Sequence, residues 1–278
     1  MIIPIRTAQY GSLRTSTYAT NGAMGEAAAD DAQNIIVSAI KAKGHANVIL
    51  ATGNSQITFL HALRALSGID WKAVNVFHMD EYVGIDPTHP ASFPLFLRTH
   101  ILDAVKPGAF YPVPGQAADV EAACRDYEAM LRAHPADLCA MGIGENGHIA
   151  FNDPPYADFD DPVWVKVVKL DERSRRQQVG EGHFPDLGAV PTHAITLTIP
   201  ALLSAKRILC IVPEARKAEA VEKSLLGPIT EDCPASILPT SLPRRKWQRG
   251  RSLRSPSHSG STAAPKRSYR SLASGAWW

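Results

Sequence analysis

No stretch of this chain approaches the ~20 consecutive apolar residues that a membrane-spanning helix needs. The opening Met-Ile-Ile-Pro-Ile-Arg lacks the charged-then-apolar pattern of a secretory leader. A cytoplasmic location is the expectation that follows. Cysteine is scarce: Cys124, Cys139, Cys210 and Cys233 stand singly in apolar surroundings, with neither a Cys-x-x-Cys pair nor the Cys/His spacing of a metal site. They read as small buried side chains in a reducing compartment. Acidic residues are missing altogether from Ser241 to the end. Nine of the 29 Lys and Arg residues fall in that tail, and the other 20 face all 27 Asp and Glu, so the preceding body carries a net −7. An acidic body of this kind offers no broad nucleic-acid-binding face.

What is present is ample apolar material. At 278 residues and 45% hydrophobic content the chain can bury a sizeable core, as one large or two ordinary domains. Residues 1–20 are weakly patterned, and an Ala-rich helix is expected over 21–43. Short apolar runs at 47–51, 73–77, 138–141, 163–168, 193–197 and 207–212 read as strands. Helical periodicity marks 57–66, 90–105, 120–133, 171–179 and 214–226. Strands alternating with helices at this rhythm predict β-α-β units and a mostly parallel sheet covered on both faces. From Ser241 to Trp278 the composition turns to Ser, Arg, Pro and Gly without apolar period. That segment reads as a basic, disordered or frame-altered tail behind a domain of residues 1–240, with an anionic-surface arm as a further reading.

The polar clusters fall after strands. Thr52-Gly53-Asn54-Ser55 joins a strand to a helix, where hydroxyls and free N–H groups at the positive end of a helix dipole can seat a phosphate or simply cap the helix. It lacks the Gly-Lys-Ser/Thr signature of a nucleotide P-loop. Asp80-Glu81 follows the strand at 73–77, on the edge where open α/β sheets bind ligands, although surface solvation or helix capping accounts for two carboxylates equally simply. Gly142-Ile143-Gly144-Glu145-Asn146-Gly147-His148-Ile149-Ala150-Phe151-Asn152-Asp153 leaves the strand at 138–141 through glycines and delivers a histidine into the space beyond. It is either a site or an ordinary glycine-rich strand exit; its crowding of polar side chains and the shared placement of the three clusters favour a site.

Taken together, Thr52-Gly53-Asn54-Ser55, Met79-Asp80-Glu81-Tyr82-Val83-Gly84 and Gly144-Glu145-Asn146-Gly147-His148-Ile149-Ala150-Phe151-Asn152 resemble the glucosamine-6-phosphate deaminase/isomerase family, over roughly residues 20–238. The second and third stretches are specific; the first is weak alone. The resemblance implies an α/β, Rossmann-like three-layer sandwich with a mostly parallel central sheet in a single domain. It further implies no cofactor and no metal, and conversion of glucosamine 6-phosphate and water to fructose 6-phosphate and ammonia. The implied partner is a small-molecule sugar phosphate rather than nucleic acid or membrane, and a homo-oligomer stays open.

Residue roles follow from that resemblance and agree with the chemistry. Moving a carbonyl from C1 to C2 needs a base that takes the C2 proton and returns it at C1, a task for a partly buried carboxylate; by resemblance this is Asp80. Ring opening needs proton traffic near neutrality, which suits His148. Beside it, Asn146 and Asp153 stand where some relatives carry Asp and Glu. The Asn146 oxygen still accepts a hydrogen bond from the imidazole, and Asp153 is one methylene shorter. Thr52, Gly53, Asn54, Ser55, Glu81 and Gly144 are expected to contact substrate, with Lys217 on the phosphate and Arg175 or Arg176, Arg176 above all, as a second basic contact. Two rival readings are a 6-phosphogluconolactonase on the same scaffold, which needs no C2 base, and a sugar-phosphate sensor of the kind fused to transcriptional regulators. Asp80-Glu81-Tyr82 argues against the first. The pair of proton-transfer groups, and the lack of room for a helix-turn-helix ahead of residue 21, argue against the second.

Overall fold

The computed structural model describes residues 2–180, 182–240 and 276–277. The chain begins with a hairpin, β1 (Arg6–Tyr10) and β2 (Leu13–Thr17), in the stretch whose mixed polar pattern gives little sign of strands. Thr20 then caps α1 (Asn21–Lys43), its hydroxyl accepting from the Ala23 N–H at 3.1 Å. The first β-α-β unit follows: β3 (Ala46–Leu50), a 3-10 turn over Asn54–Gln56, α2 (Ile57–Ala65) and β4 (Val74–His78). Directly after it comes the short β5 (Asp80–Tyr82). The amphipathic pattern at 90–105 becomes α3 (Phe93–Leu97), a π-helical turn at Arg98–Leu102 and α4 (Asp103–Val105), not one helix. It still sends Leu97, Ile101 and Leu102 into the core.

Beyond β6 (Ala109–Tyr111), α5 (Val120–Ala133) leads to β7 (Leu138–Met141). Then come β8 (Val165–Lys169), α6 (Glu172–Gly180), β9 (His193–Leu197), α7 (Ile199–Leu203), β10 (Ile208–Val212), a 3-10 turn at Ala215–Lys217 and α8 (Ala218–Leu226). A 3-10 segment, Pro234–Thr240, closes this part of the chain. The tail expected from Ser241 lies outside the described residues, except that the backbone of β11 (Ala276–Trp277) pairs antiparallel with β10 and β2. No described helix is long and apolar enough to cross a membrane.

Five strands in the order β10-β7-β3-β4-β6 are mutually parallel, with Ile49 opposite Phe77 and Cys139, and Leu209 opposite Ala140. Because side chains alternate along a strand, the sheet feeds two cores. Ile49, Phe77, Cys139, Met141, Cys210 and Val212 face Cys124, Tyr127 and Leu131 of α5. Val48, Leu50, Val76, Leu138, Ala140 and Ile211 face Met24, Ala28, Ala32 and Ile36 of α1 and Phe59, Leu60 and Leu63 of α2. That is the three-layer sandwich the resemblance implies. Its strands are near-continuous apolar runs because both faces are covered. A smaller antiparallel sheet, β5-β9-β8, stands beside it over a third cluster built on Tyr82, Phe151, Phe184 and Val168.

This topology locates a crevice. From β3 the chain proceeds to β4 and β6 on one side, then returns to β7 and β10 on the other. The loops leaving β3 and β7 are neighbours that diverge, which is the switch point where open α/β sheets bind ligands.

Candidate active site

One cleft gathers the ends of four parallel strands. Its lining includes Thr52, Gly53, Asn54 and Ser55 after β3, Asp80 after β4, Gly142, Gly144 and His148 after β7, and Arg216 and Lys217 after β10. The β3 loop runs into a 3-10 turn and then α2, so its backbone N–H groups lie at the positive end of a nine-residue helix. The Gln56 side-chain amide fixes its inner edge, donating to Ser55 Oγ at 3.0 Å.

Asp80 and Glu81, adjacent on β5, point to opposite sides as strand residues must. Asp80 lines the cleft and is only 7% exposed. Burial, and then the charge of Glu81, push its carboxyl up to about 8. Glu81 does not line the cleft. Its Oε1 accepts from the Tyr82 N–H at 2.8 Å, and its Oε2 from Ser92 Oγ at 3.1 Å and the Phe93 N–H at 3.0 Å. It therefore fastens the N-terminus of α3, whose Phe93 and Phe96 form one wall of the cleft, to the strand that carries Asp80. Burial drives Glu81 up to about 7 against those three hydrogen bonds.

The turn after β7 builds a hydrogen-bonded cluster of His148, Asn146 and Asp153. Gly147 adopts φ +85°, which returns the chain sharply. The His148 ring then lies over Gly144, where a Cβ would be only 2.0 Å from Cε1. His148 Nδ1 is 2.7 Å from Asn146 Oδ1 and 3.0 Å from Asp153 Oδ1. The His148 backbone N–H also donates to Asn146 Oδ1, at 3.1 Å, which fixes that amide's orientation and leaves its Nδ2 to donate to Asp153 Oδ1 at 2.8 Å. With two acceptors facing Nδ1, the proton of the neutral ring sits there and Nε2 is left as the basic nitrogen. Ser174 of α6 gives Asp153 Oδ1 another donor at 2.6 Å. Burial alone would raise the Asp153 carboxyl; the His148 imidazole beside it, with the hydrogen bonds from His148, Asn146 and Ser174, holds it down to about 2. The shorter Asp153 side chain thus reaches the imidazole.

The expected basic contacts divide. Lys217, 6% exposed, lines the cleft at the start of α8. Arg176 does not line it: its guanidinium turns back to Glu172, with Nε at 2.9 Å from the carboxylate. Arg175 donates through one terminal nitrogen to the Leu187 and Val190 carbonyls, at 2.6 and 2.8 Å. The α6 side chains on the cleft are Gln177 and Gln178, joined by His183 and, from the β10 loop, Arg216 and Glu214. None of these five was expected from the sequence, and only Arg216, beside Lys217 after a strand, carried a signal that could have marked it. Among the described residues no three His, Cys, Asp or Glu side chains cluster as metal ligands do.

Comparison with known proteins points the same way. A family model described as glucosamine-6-phosphate isomerases/6-phosphogluconolactonase matches residues 19–247. A glucosamine-6-phosphate deaminase of Exiguobacterium sibiricum is 41% identical over 189 residues, 68% of this chain and 73% of that protein. One of Bacillus cereus is 35% identical over 213 residues, 77% of this chain and 79% of its own. Among solved structures, a monomeric glucosamine-6-phosphate deaminase superposes with a TM-score of 0.72 at 32% identity, covering 79% of this chain and 90% of that one. A 6-phosphogluconolactonase from Shewanella baltica has a TM-score of 0.67 at 18% identity, over 82% and 92% of the two chains, a likeness of fold alone.

Proposed function

The chain belongs to the glucosamine-6-phosphate isomerase/6-phosphogluconolactonase family, and from that premise we propose that it converts glucosamine 6-phosphate and water to fructose 6-phosphate and ammonia. The observation that carries the reading is a buried carboxylate, Asp80, sharing one cleft with a histidine whose Nδ1 is held by Asn146 and Asp153.

In this reading the phosphate sits against the Thr52–Ser55 loop and Lys217. His148 Nε2 takes the proton of the anomeric hydroxyl and passes it to the ring oxygen as the C1–O5 bond breaks, leaving an open-chain aldehyde. Asp153 stabilises the imidazolium that forms in passing. Asp80 then removes the C2 proton, the electron pair moves to the C1 carbonyl, whose oxygen takes a proton from the substrate's C2 ammonium to give an enolamine, and Asp80 returns its proton to C1 as the nitrogen lone pair forms the C2=N bond. The product is an imine at C2; addition of water and loss of ammonia yield the ketose. A base near neutrality is best matched to this two-way transfer, and burial moves Asp80 in that direction. A lactonase has no need of such a group.

The reading takes residues 1–240 as the catalytic domain and gives 241–278 no part in the chemistry. Four free, buried cysteines support a cytoplasmic setting. The test is a coupled assay for ammonia and fructose 6-phosphate on wild type and Asp80→Asn. Release by wild type and its loss in the variant are expected; no ammonia from wild type would sink the proposal.

A further inference from the structure

Resting on the reading of the cleft as a phosphosugar site, we propose that Arg216 is a second phosphate contact, held in reserve by Glu145 and Glu214 and surrendered to the phosphate when it binds. A phosphate monoester carries about −1.5 to −2 at neutral pH, and Lys217 supplies one positive charge. Among the described residues lining the cleft, Arg216 is the other Lys or Arg; Arg175 and Arg176 are engaged elsewhere.

Position supports the assignment. Arg216 precedes Lys217 in the 3-10 turn that leads into α8, at the edge of the sheet that also carries the Thr52–Ser55 loop. Its Nη1 lies 3.0 Å from Glu145 Oε1, and its Nε donates to Glu214 Oε2. These pairs are open to water, with side chains 38% exposed for Arg216, 31% for Glu145 and 28% for Glu214. Exposed pairs of this kind are weak and exchange readily. A phosphate that accepts two parallel N–H bonds from the guanidinium offers the stronger partner. Glu145 also immediately precedes Asn146, so the exchange would release a tether on the turn that carries His148.

The experiment titrates inorganic phosphate into wild type, Arg216→Ala, Arg216→Lys and Glu145→Gln, and measures KM and kcat for glucosamine 6-phosphate on all four. Loss of a charge-assisted contact predicts phosphate binding and KM weakened about ten- to hundredfold in Arg216→Ala, with kcat changed only a few-fold. Arg216→Lys should recover part of the loss, and Glu145→Gln should not raise KM. Phosphate binding by Arg216→Ala within about twofold of wild type overturns the proposal. So does a wild type that binds no phosphate, or a Glu145→Gln protein that loses kcat in the same measure as Arg216→Ala, since Arg216 would then serve only to clamp the turn. The titration needs no turnover. A wild type that binds phosphate but releases no ammonia would therefore retire the deaminase reading and leave Arg216 judged by its own arm.

Discussion

His148 Nδ1 stands 3.0 Å from Asp153 Oδ1, and the Asn146 amide bridges the two, accepting from the imidazole side and donating to the carboxylate. The geometry sets the tautomer without requiring an acid at position 146. The charge on Asp153 is a separate matter. In Asp153→Asn, the amide oxygen can keep the donors of Asn146, Ser174 and His148, while its nitrogen takes the place of Oδ2, which is buried without a partner among the described residues. We expect kcat to fall about 10²- to 10⁴-fold, with stability lowered by no more than about 1–3 kcal/mol for one unpaired donor. Steady-state ammonia release alongside thermal unfolding measures both. His148→Gln should abolish turnover of closed-ring substrate, and near-normal kcat would remove His148 from the mechanism.

Gly144→Ala tests the seat of the ring rather than its chemistry. The added methyl would meet Cε1 at 2.0 Å and both ring nitrogens at 2.3 Å, and the ring cannot retreat without leaving Asn146 and Asp153. Displacement by about 1 Å can cost on the order of 10² in rate. A loss of that size with an unchanged circular dichroism spectrum is expected; a fully active variant would contradict the placement of His148.

Asp80 links activity to pH in one direction and stability in the other. As the base it must be ionised, so kcat/KM should rise as pH passes through about 8. For stability, the folded carboxyl sits above its ordinary 3.8. It therefore contributes stability that is fully present below that value and lost as pH rises through about 8, because the folded state then binds the proton more tightly than the unfolded one. Asp80→Asn removes this term. Its melting temperature should gain on that of wild type between about pH 4 and about pH 8, and parallel pH profiles for the two proteins would refute the assignment.

Lys217→Ala removes a buried ammonium from the lining of the cleft. KM for glucosamine 6-phosphate should rise about ten- to hundredfold, the worth of a charge-assisted contact, with little change in kcat. Competition by unphosphorylated glucosamine should be unaffected. Equal weakening of both ligands would show a collapsed cleft rather than a lost phosphate contact.

Helix α6 shows where local reading ends. Its sequence, Glu-Arg-Ser-Arg-Arg-Gln-Gln-Val-Gly, has no apolar stripe to fix which face turns inward. The inward face is Ser174, Gln177 and Gln178, spaced i, i+3 and i+4, and the opposite one pairs Glu172 with Arg176. Arg176 lies where the resemblance places a second basic contact, but the phase of the helix turns it away from the cleft. Glu81 was displaced from the cleft for a similar reason: β5 is only three residues long, and alternation there sends Asp80 and Glu81 to opposite sides.

The sequence alone determined the alternating strands and helices, because apolar runs covered on both faces have no other stable use. It also determined the polar clusters at residues 52–55, 80–81 and 144–153, because loops after parallel strands converge on one edge. Only the tertiary structure decided which charges reach the cleft. Hydrogen bonds between segments far apart in the chain, Glu81 to Ser92, Ser174 to Asp153 and Arg216 to Glu145, depend on helix phase and strand register, and those are fixed by packing rather than by composition.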